Sequence, residues 1–259
     1  MIQVRARLRT IYRRVQRELS TGLGMYPRCF LPLWTATHPD ASHQIARDTD
    51  LVIEGYPRSG NSFSEVAFRW SQRPNQVRLA HHIHQPAQII QAVRWGVPAI
   101  VLIRQPEDAI LSYSIYQPEN SLRQSIRYYN RFYRSLLPYL NQCVVATFDQ
   151  VTCDFGTIIE NVNQTYSTNF VRFDHSPTSE QQVFSRLKKH ARKVSSQYEN
   201  QVAVPNAHRQ SQREELRCRL HADVLSPLLD EAISLYAVFV EYSQGDDLKH
   251  VTRLNRDAA

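Results

Sequence analysis

Apolar positions along this chain follow two rhythms. The first is the tight run. Leu51-Val-Ile-Glu-Gly55 is a short apolar stretch stopped by glycine, and Val77 to His81 reads as a second short strand. Val97 to Ile103 is a continuous apolar segment of the kind buried on both faces, and Cys143 to Phe148 is a fourth strand. The second rhythm is helical. Asn61 to Ser71 is amphipathic, and Pro86 opens a helix through about Arg94, because proline is favoured at the first helical position. Pro106-Glu-Asp opens another, with acids in the first turn where the helix dipole favours them. Ser121 to Leu137, Phe155 to Tyr166, Ser179 to Ser195, Glu214 to Ala222 and Ser226 to Val240 also read as helices. Gln197 to Gln212 has no period and is expected to form a long loop.

Strands alternating with helices predict an α/β fold of three layers, α/β/α, around a central, mostly parallel sheet. A chain of 259 residues with 42% apolar content can bury one core, and its 21% of charged residues is ordinary for a folded protein. One domain over 1-259 is expected: a basic helix and loop region at 1-48, a core at 49-175 and a helical region at 176-259.

Charge narrows the partners. Lys+Arg number 31 and Asp+Glu 24, a net +7, which favours nucleic acid, anionic lipid or a highly phosphorylated ligand. Arginines stand at 5, 7, 9, 13, 14 and 17, and no apolar segment of a secretory signal follows them. The longest apolar run, Ala99 to Ile103, is far short of the roughly 18 residues of a membrane span. Leu8, Ile11, Val15 and Leu19 recur at helical spacing. They read as a solvated basic helix packed on the domain, or as an anchor for an anionic surface or a partner helix. Cys29, Cys143, Cys153 and Cys218 show no CxxC spacing and no zinc pattern with histidine, so free thiols in a reducing, cytoplasmic setting are expected.

The chemistry concentrates after the first strand. Gly55-Tyr-Pro-Arg-Ser-Gly-Asn-Ser62 lies between a strand and a helix, where backbone N–H groups and a helix N-terminus cradle phosphate. The nucleoside triphosphatase pattern GxxxxGK[ST] needs a lysine where this chain has Asn61. The positive charge lies inside the loop instead, at Arg58. Tyr56-Pro-Arg-Ser-Gly-Asn-Ser-Phe63 resembles the 5′-phosphosulfate loop of the sulfotransferases that use 3′-phosphoadenosine 5′-phosphosulfate (PAPS), commonly Tyr-Pro-Lys-Ser-Gly-Thr-Thr-Trp. Arg58 replaces the lysine, Asn61-Ser62 the threonine pair, and Phe63 the tryptophan that helps hold adenine. Arginine keeps the charge but donates a proton poorly, so Arg58 suits charge stabilisation and not general acid work.

Arg104-Gln-Pro-Glu-Asp-Ala-Ile-Leu-Ser112 follows the best strand and resembles the family's 3′-phosphate motif, an Arg-x-Pro-x-Asp run with serine eight residues after the arginine. Arg104 can grip phosphate bidentately and Ser112 can donate its hydroxyl. His82-Ile-His-Gln-Pro86 resembles the family's Lys-Thr-His-Leu-Pro, which puts His84 at the base position and His82 where the lysine sits. An unperturbed histidine pKa of about 6.5 suits that role. The histidines at 81, 82 and 84 match no common zinc spacing, and no acid or cysteine beside them completes a site.

The resemblance implies in-line transfer of a sulfuryl group from PAPS to an acceptor hydroxyl or amine, with PAP as product, no metal, and a small-molecule, lipid or carbohydrate acceptor. His84 and Arg58 would be catalytic. Pro57, Arg58, Ser59, Gly60, Asn61, Ser62, Phe63, Arg104 and Ser112 would hold the nucleotide. The family's closing Arg-Lys-Gly is absent, and Arg209 in the segment Val204 to Arg209 is the candidate to replace it. Competing readings are a P-loop kinase or triphosphatase, a nucleic-acid-binding module, and an inactive sulfotransferase-like binding protein.

Overall fold

Among the described residues, four parallel strands form the sheet: β1 (Leu51–Gly55), β2 (Leu79–His81), β3 (Ala99–Ile103) and β4 (Val144–Thr147), in the order β2-β1-β3-β4. The computed structural model describes residues 2–38, 42–194 and 207–244, and the side chains of all of these except 2–10, 190–194 and 207–210. The helices are α1 (Ile2–Leu23), α2 (Pro27–Thr37), α3 (Asn61–Ser71), α4 (Pro86–Trp95), α5 (Pro106–Tyr116), α6 (Leu122–Arg134), α7 (Phe148–Tyr166), α8 (Pro177–Val194), α9 (Ala207–Leu220) and α10 (Ser226–Ser243).

Strand side chains alternate between two cores, as the pleat requires. Val52, Val101, Ile103 and Val145 face a core built with α4, α5, α6 and α10. Leu51, Ile53, Ile100, Leu102, Val144 and Ala146 face a second core with α3, α7 and α8. The sheet is therefore covered on both sides, and the expected three-layer α/β/α fold is the one observed. Because all four strands are parallel, each return to the sheet is a helical crossover, and all their C-terminal ends open on one edge. β1 is central, flanked by β2 and β3, so the chain reverses direction across it. That switch point is where open α/β sheets bind ligands.

Local chemistry sets the element ends. Pro86 and Pro106 start α4 and α5 at the first helical turn, and Gln105 caps α5 by accepting from the Asp108 amide. Ser121 with Gln124 and Thr147 with Gln150 form capping boxes at α6 and α7. β1 and α3 have the bounds the sequence predicts. Other elements differ. The basic helix and loop region expected at 1-48 contains a second helix, α2, with Pro32 inside it. Of the expected loop over Gln197 to Gln212, residues 197–206 lie outside the described residues, and from Ala207 the chain is helical: α9 begins seven residues before the predicted Glu214. The long helix expected from Ser121 ends at Arg134 and continues as a 3-10 turn over Leu137–Gln142. The helix expected from Phe155 starts at Phe148 and bends at Asp154, whose φ of −153° is not helical.

Candidate active site

The turn after β1 is built by two glycines. Gly55 pairs with Leu102 on β3, and a Cβ there would lie 2.4 Å from the Leu102 carbonyl oxygen. Gly60, at φ 96°, caps α3 in the left-handed region. Between them Pro57 and Ser59 are buried and Arg58 takes φ 72°. His82 (59°) and His84 (56°) share that rare conformation. Among the described residues, three of the four non-glycine residues with positive φ thus fall in this site, and such strain persists only where the surroundings impose it.

The surroundings are tyrosines of α6. Tyr133 donates its hydroxyl to the Leu102 carbonyl (2.8 Å) and accepts from the Tyr56 amide (3.3 Å). Tyr129 donates to the Arg104 carbonyl at 2.8 Å, and Tyr128 donates to the His84 carbonyl. One helix therefore ties down the loop, the arginine and the histidine. Burial raises the hydroxyl pKa values of Tyr128, Tyr129 and Tyr133, so all three keep the proton they donate. Sequence reasoning missed this platform. Its signal is the run Tyr128-Tyr-Asn-Arg-Phe-Tyr133 within an otherwise polar helix.

The two arginine motifs converge. Arg58 Nε donates to Ser112 Oγ at 3.0 Å, and Arg104 Nη1 donates to the Arg58 carbonyl at 3.2 Å. Arg213 of α9 pairs with Asp108, which also faces Arg104 at 3.7 Å. Burial and the neighbouring Arg213 lower the Arg104 pKa to about 10. It stays charged at neutral pH, but in a setting that an anion would relieve. Arg104 Nε and Arg213 Nε are both buried without a hydrogen-bond partner among the described residues. A buried donor left unsatisfied costs about 1–3 kcal/mol. Arg213 was not expected from the sequence. It stands four residues after Arg209, on the same face of α9, and the Arg209 side chain lies outside the described residues.

The remaining loop residues divide. Asn61 donates through Nδ2 to the Tyr56 carbonyl (3.1 Å) and is buried, so its side chain closes the turn from within. Ser62 Oγ lies 3.0 Å from His82 Nε2. Phe63 is 6% exposed, packed against Phe173, His175 and Phe184.

His84 is held on three sides. Nδ1 lies 2.9 Å from the Gly55 carbonyl, which can only accept, so Nδ1 carries the proton and Nε2 the lone pair. The backbone amides of Ile83 and His84 donate to Glu54 at 2.8 and 3.0 Å, and Gln88 Nε2 donates to it at 2.9 Å. The Glu54 carboxylate also lies 3.8 Å from His84 Nδ1. Glu54 is fully buried, and burial raises its pKa to about 7 despite those donors. Burial, with His82, Arg17 and Arg58 nearby, pushes the His84 pKa down to about 3. The imidazole is neutral at physiological pH, and its side chain is 23% exposed.

One expectation about the histidines is corrected. An acid does join them: Glu65, His81 and His82 bring ligand atoms within 4.8 Å of one another. Glu65 sits one helical face away in α3, where local sequence spacing does not reveal it. The Arg69 guanidinium already lies among these atoms, 3.0 Å from Glu65 and 3.4 Å from His81 Nε2. All four cysteines are free thiols.

The C-terminal edge of the parallel sheet thus gathers two arginines, a glycine-bounded strand-to-helix turn and a neutral histidine, at the position where open α/β sheets bind ligands. No model of a known protein family matches the chain, and no curated protein matches it in sequence. Among solved structures, the mouse sulfotransferase SULT7A1 complexed with PAP is similar over 75% of this chain and 92% of that one, with 12% identity and a TM-score of 0.41.

Proposed function

We propose that this protein is a PAPS-dependent sulfotransferase that moves a sulfuryl group to an acceptor hydroxyl or amine by in-line displacement. The observation that carries the reading is the junction of the two arginine motifs: Arg58 on Ser112 at 3.0 Å, with Arg104 on the Arg58 carbonyl at 3.2 Å. A nucleotide phosphorylated at both ends needs two anion sites at such a separation of elements, one after β1 and one after β3. The residues present fit that ligand, because Arg104 Nε and Arg213 Nε are buried donors without acceptors. PAPS supplies the activated sulfuryl group and its 3′-phosphate the second anion.

The residues of the chain then divide the work. Arg104, Ser112 and Arg213 would bind the 3′-phosphate. The loop amides and Arg58 would hold the 5′ end and stabilise charge on the departing oxygen. His84 Nε2 would take the acceptor proton, because Nδ1 is committed to the Gly55 carbonyl. The imidazolium so formed would lie 3.8 Å from Glu54, whose ionised form would stabilise it against the burial that disfavours its charge. Positioning and charge stabilisation supply the rest of the rate.

The test is calorimetric titration with PAP, ADP and ATP, with and without magnesium. PAP should bind micromolar or tighter, ADP weakly, and magnesium should not matter. Arg104→Ala should weaken PAP by about 10- to 100-fold, the worth of a charge-assisted contact, and erase the preference over ADP. ATP binding as well as PAP with help from magnesium would overturn this reading in favour of a kinase or triphosphatase.

A further inference from the structure

Helix α1 is amphipathic in the wrong direction. An ordinary surface helix turns its apolar stripe to the core. Here the polar side faces the domain. Arg14 Nε donates to the Glu119 carbonyl at 2.5 Å, Glu18 pairs with Arg131 at 2.7 Å, and Thr21 accepts from the same arginine at 3.2 Å. The apolar side faces out. Ile11, Val15 and Leu19, spaced four apart on one ridge, are 56%, 53% and 62% exposed, and Tyr12 beside them is 67% exposed. Tyr26 and Leu33, at and beyond the start of α2, extend the exposed apolar surface at 58% and 52%. The large exposed hydrophobic residues elsewhere are scattered singly along the chain.

We propose that this outward face of α1 and α2 docks onto an anionic lipid surface. The charge around it selects that occupant. The α1 sequence holds arginines at 5, 7, 9, 13, 14 and 17 against one acid, Glu18; Arg14 and Glu18 are turned inward, to the Glu119 carbonyl and to Arg131. Arg13 is half exposed beside the ridge, and Arg28 is exposed on α2. An apolar ridge bordered by arginines, with tyrosines at its margin, is the pattern of a helix lying in the headgroup region. A second copy of the chain would set arginine borders against arginine borders, a like-charge interface in which the acid at hand, Glu119, is already paired with Arg13 at 3.5 Å. The docked helix also meets the candidate base segment. The Gly24 carbonyl, just past α1, accepts from the Ala87 amide at 2.8 Å, and Ala87 is three residues from His84. Docking would thus bring the acceptor side of the site to the membrane surface. The docking itself does not depend on the sulfotransferase reading.

Vesicle flotation tests it with the full chain. The probes are vesicles of phosphatidylcholine alone and of phosphatidylcholine mixed with phosphatidylglycerol. The protein should float with the mixed vesicles, less so as salt rises, and not with phosphatidylcholine alone. The double variant Val15→Ser with Leu19→Ser keeps every charge and should lose about tenfold or more of that binding. Circular dichroism and urea unfolding would verify that the variant is folded. Equal binding by variant and wild type would reduce the effect to net charge and overturn the proposal. So would the absence of vesicle binding, or a concentration-dependent dimer in light scattering that the variant disperses.

Discussion

The strand-end site and the α1–α2 arm break the same rule in opposite senses. Polar groups are normally outside and apolar ones inside. At the ends of β1 and β3, Glu54, Ser59, Asn61 and Gln88 are buried, and the backbone at residues 58, 82 and 84 is strained. Along α1, a ridge of Ile11, Val15 and Leu19 is left in water while Glu18 and Thr21 turn inward. The first departure is answered in large part by the protein: Glu54 has three donors, the strained segment is held by Tyr128, and Asn61 Oδ1, Arg104 Nε and Arg213 Nε are left without partners among the described residues. The second is answered by nothing within the described chain. Buried polarity that is satisfied internally points to a preorganised site, whereas exposed apolarity without a partner points to a surface that awaits one.

The largest effect should separate the two regions by chemistry. His84→Ala should lower kcat for sulfate transfer to an acceptor by about 10²- to 10⁴-fold, the usual worth of a general base. PAP affinity and vesicle binding should stay as in the wild type. An unchanged kcat would remove His84 from the role of base and leave it as a structural histidine.

Stability should separate them next. Tyr133→Phe removes the hydroxyl shared by the Leu102 carbonyl and the Tyr56 amide, both buried. Leaving them unsatisfied should cost about 1–3 kcal/mol in urea unfolding. Val15→Ser with Leu19→Ser should stay within about 0.5 kcal/mol per site, because those side chains contact little in the folded domain. If the arm variant proves the less stable of the two, α1 packs more closely than its exposure indicates and the contrast fails.

The site was legible in the sequence where its parts are local. Leu51 to Gly55 and Asn61 to Ser71 are bounded by glycine and by the abrupt change of period, so a strand, a turn and a helix follow from spacing alone. The arginine at the end of β3 was legible for the same reason. The parts that were not legible depend on tertiary approach. Glu54 sits inside an apolar run and shows its meaning only when the Ile83 and His84 amides arrive from the neighbouring connection. Tyr128, Tyr129 and Tyr133 reach three different segments from one helix, which no local pattern encodes. The start of α9, and with it Arg213, was hidden because residues 207–213 are polar and lack an apolar period. The inverted face of α1 was hidden in another way: periodicity reveals that a helix has an apolar side, not where that side points.

The smallest effect is a slope against pH, and it tests whether the buried side of the comparison is as dry as described. His81 is 7% exposed; burial, then His82, His43 and Arg69, lowers its pKa from 6.5 to about 2. Below pH 6.5 the unfolded chain therefore takes up a proton at this position that the folded chain refuses, and stability falls as pH falls. Glu54 acts in the opposite sense. Its folded pKa of about 7 lies above the ordinary 4.5, so between those values the folded chain holds the extra proton and gains stability as pH falls. The observed slope is the difference between the two, with His84 on the side of His81. His81→Gln deletes one term that favours unfolding in acid and leaves Glu54 in place. Its melting temperature should therefore fall less than that of the wild type between pH 6.5 and 4.5, the two ordinary pKa values that bound the window. Parallel curves would mean that His81 is protonated in the folded state, with Glu65 at 3.8 Å as its counter-ion, and that this side of the site is wetter than its burial indicates.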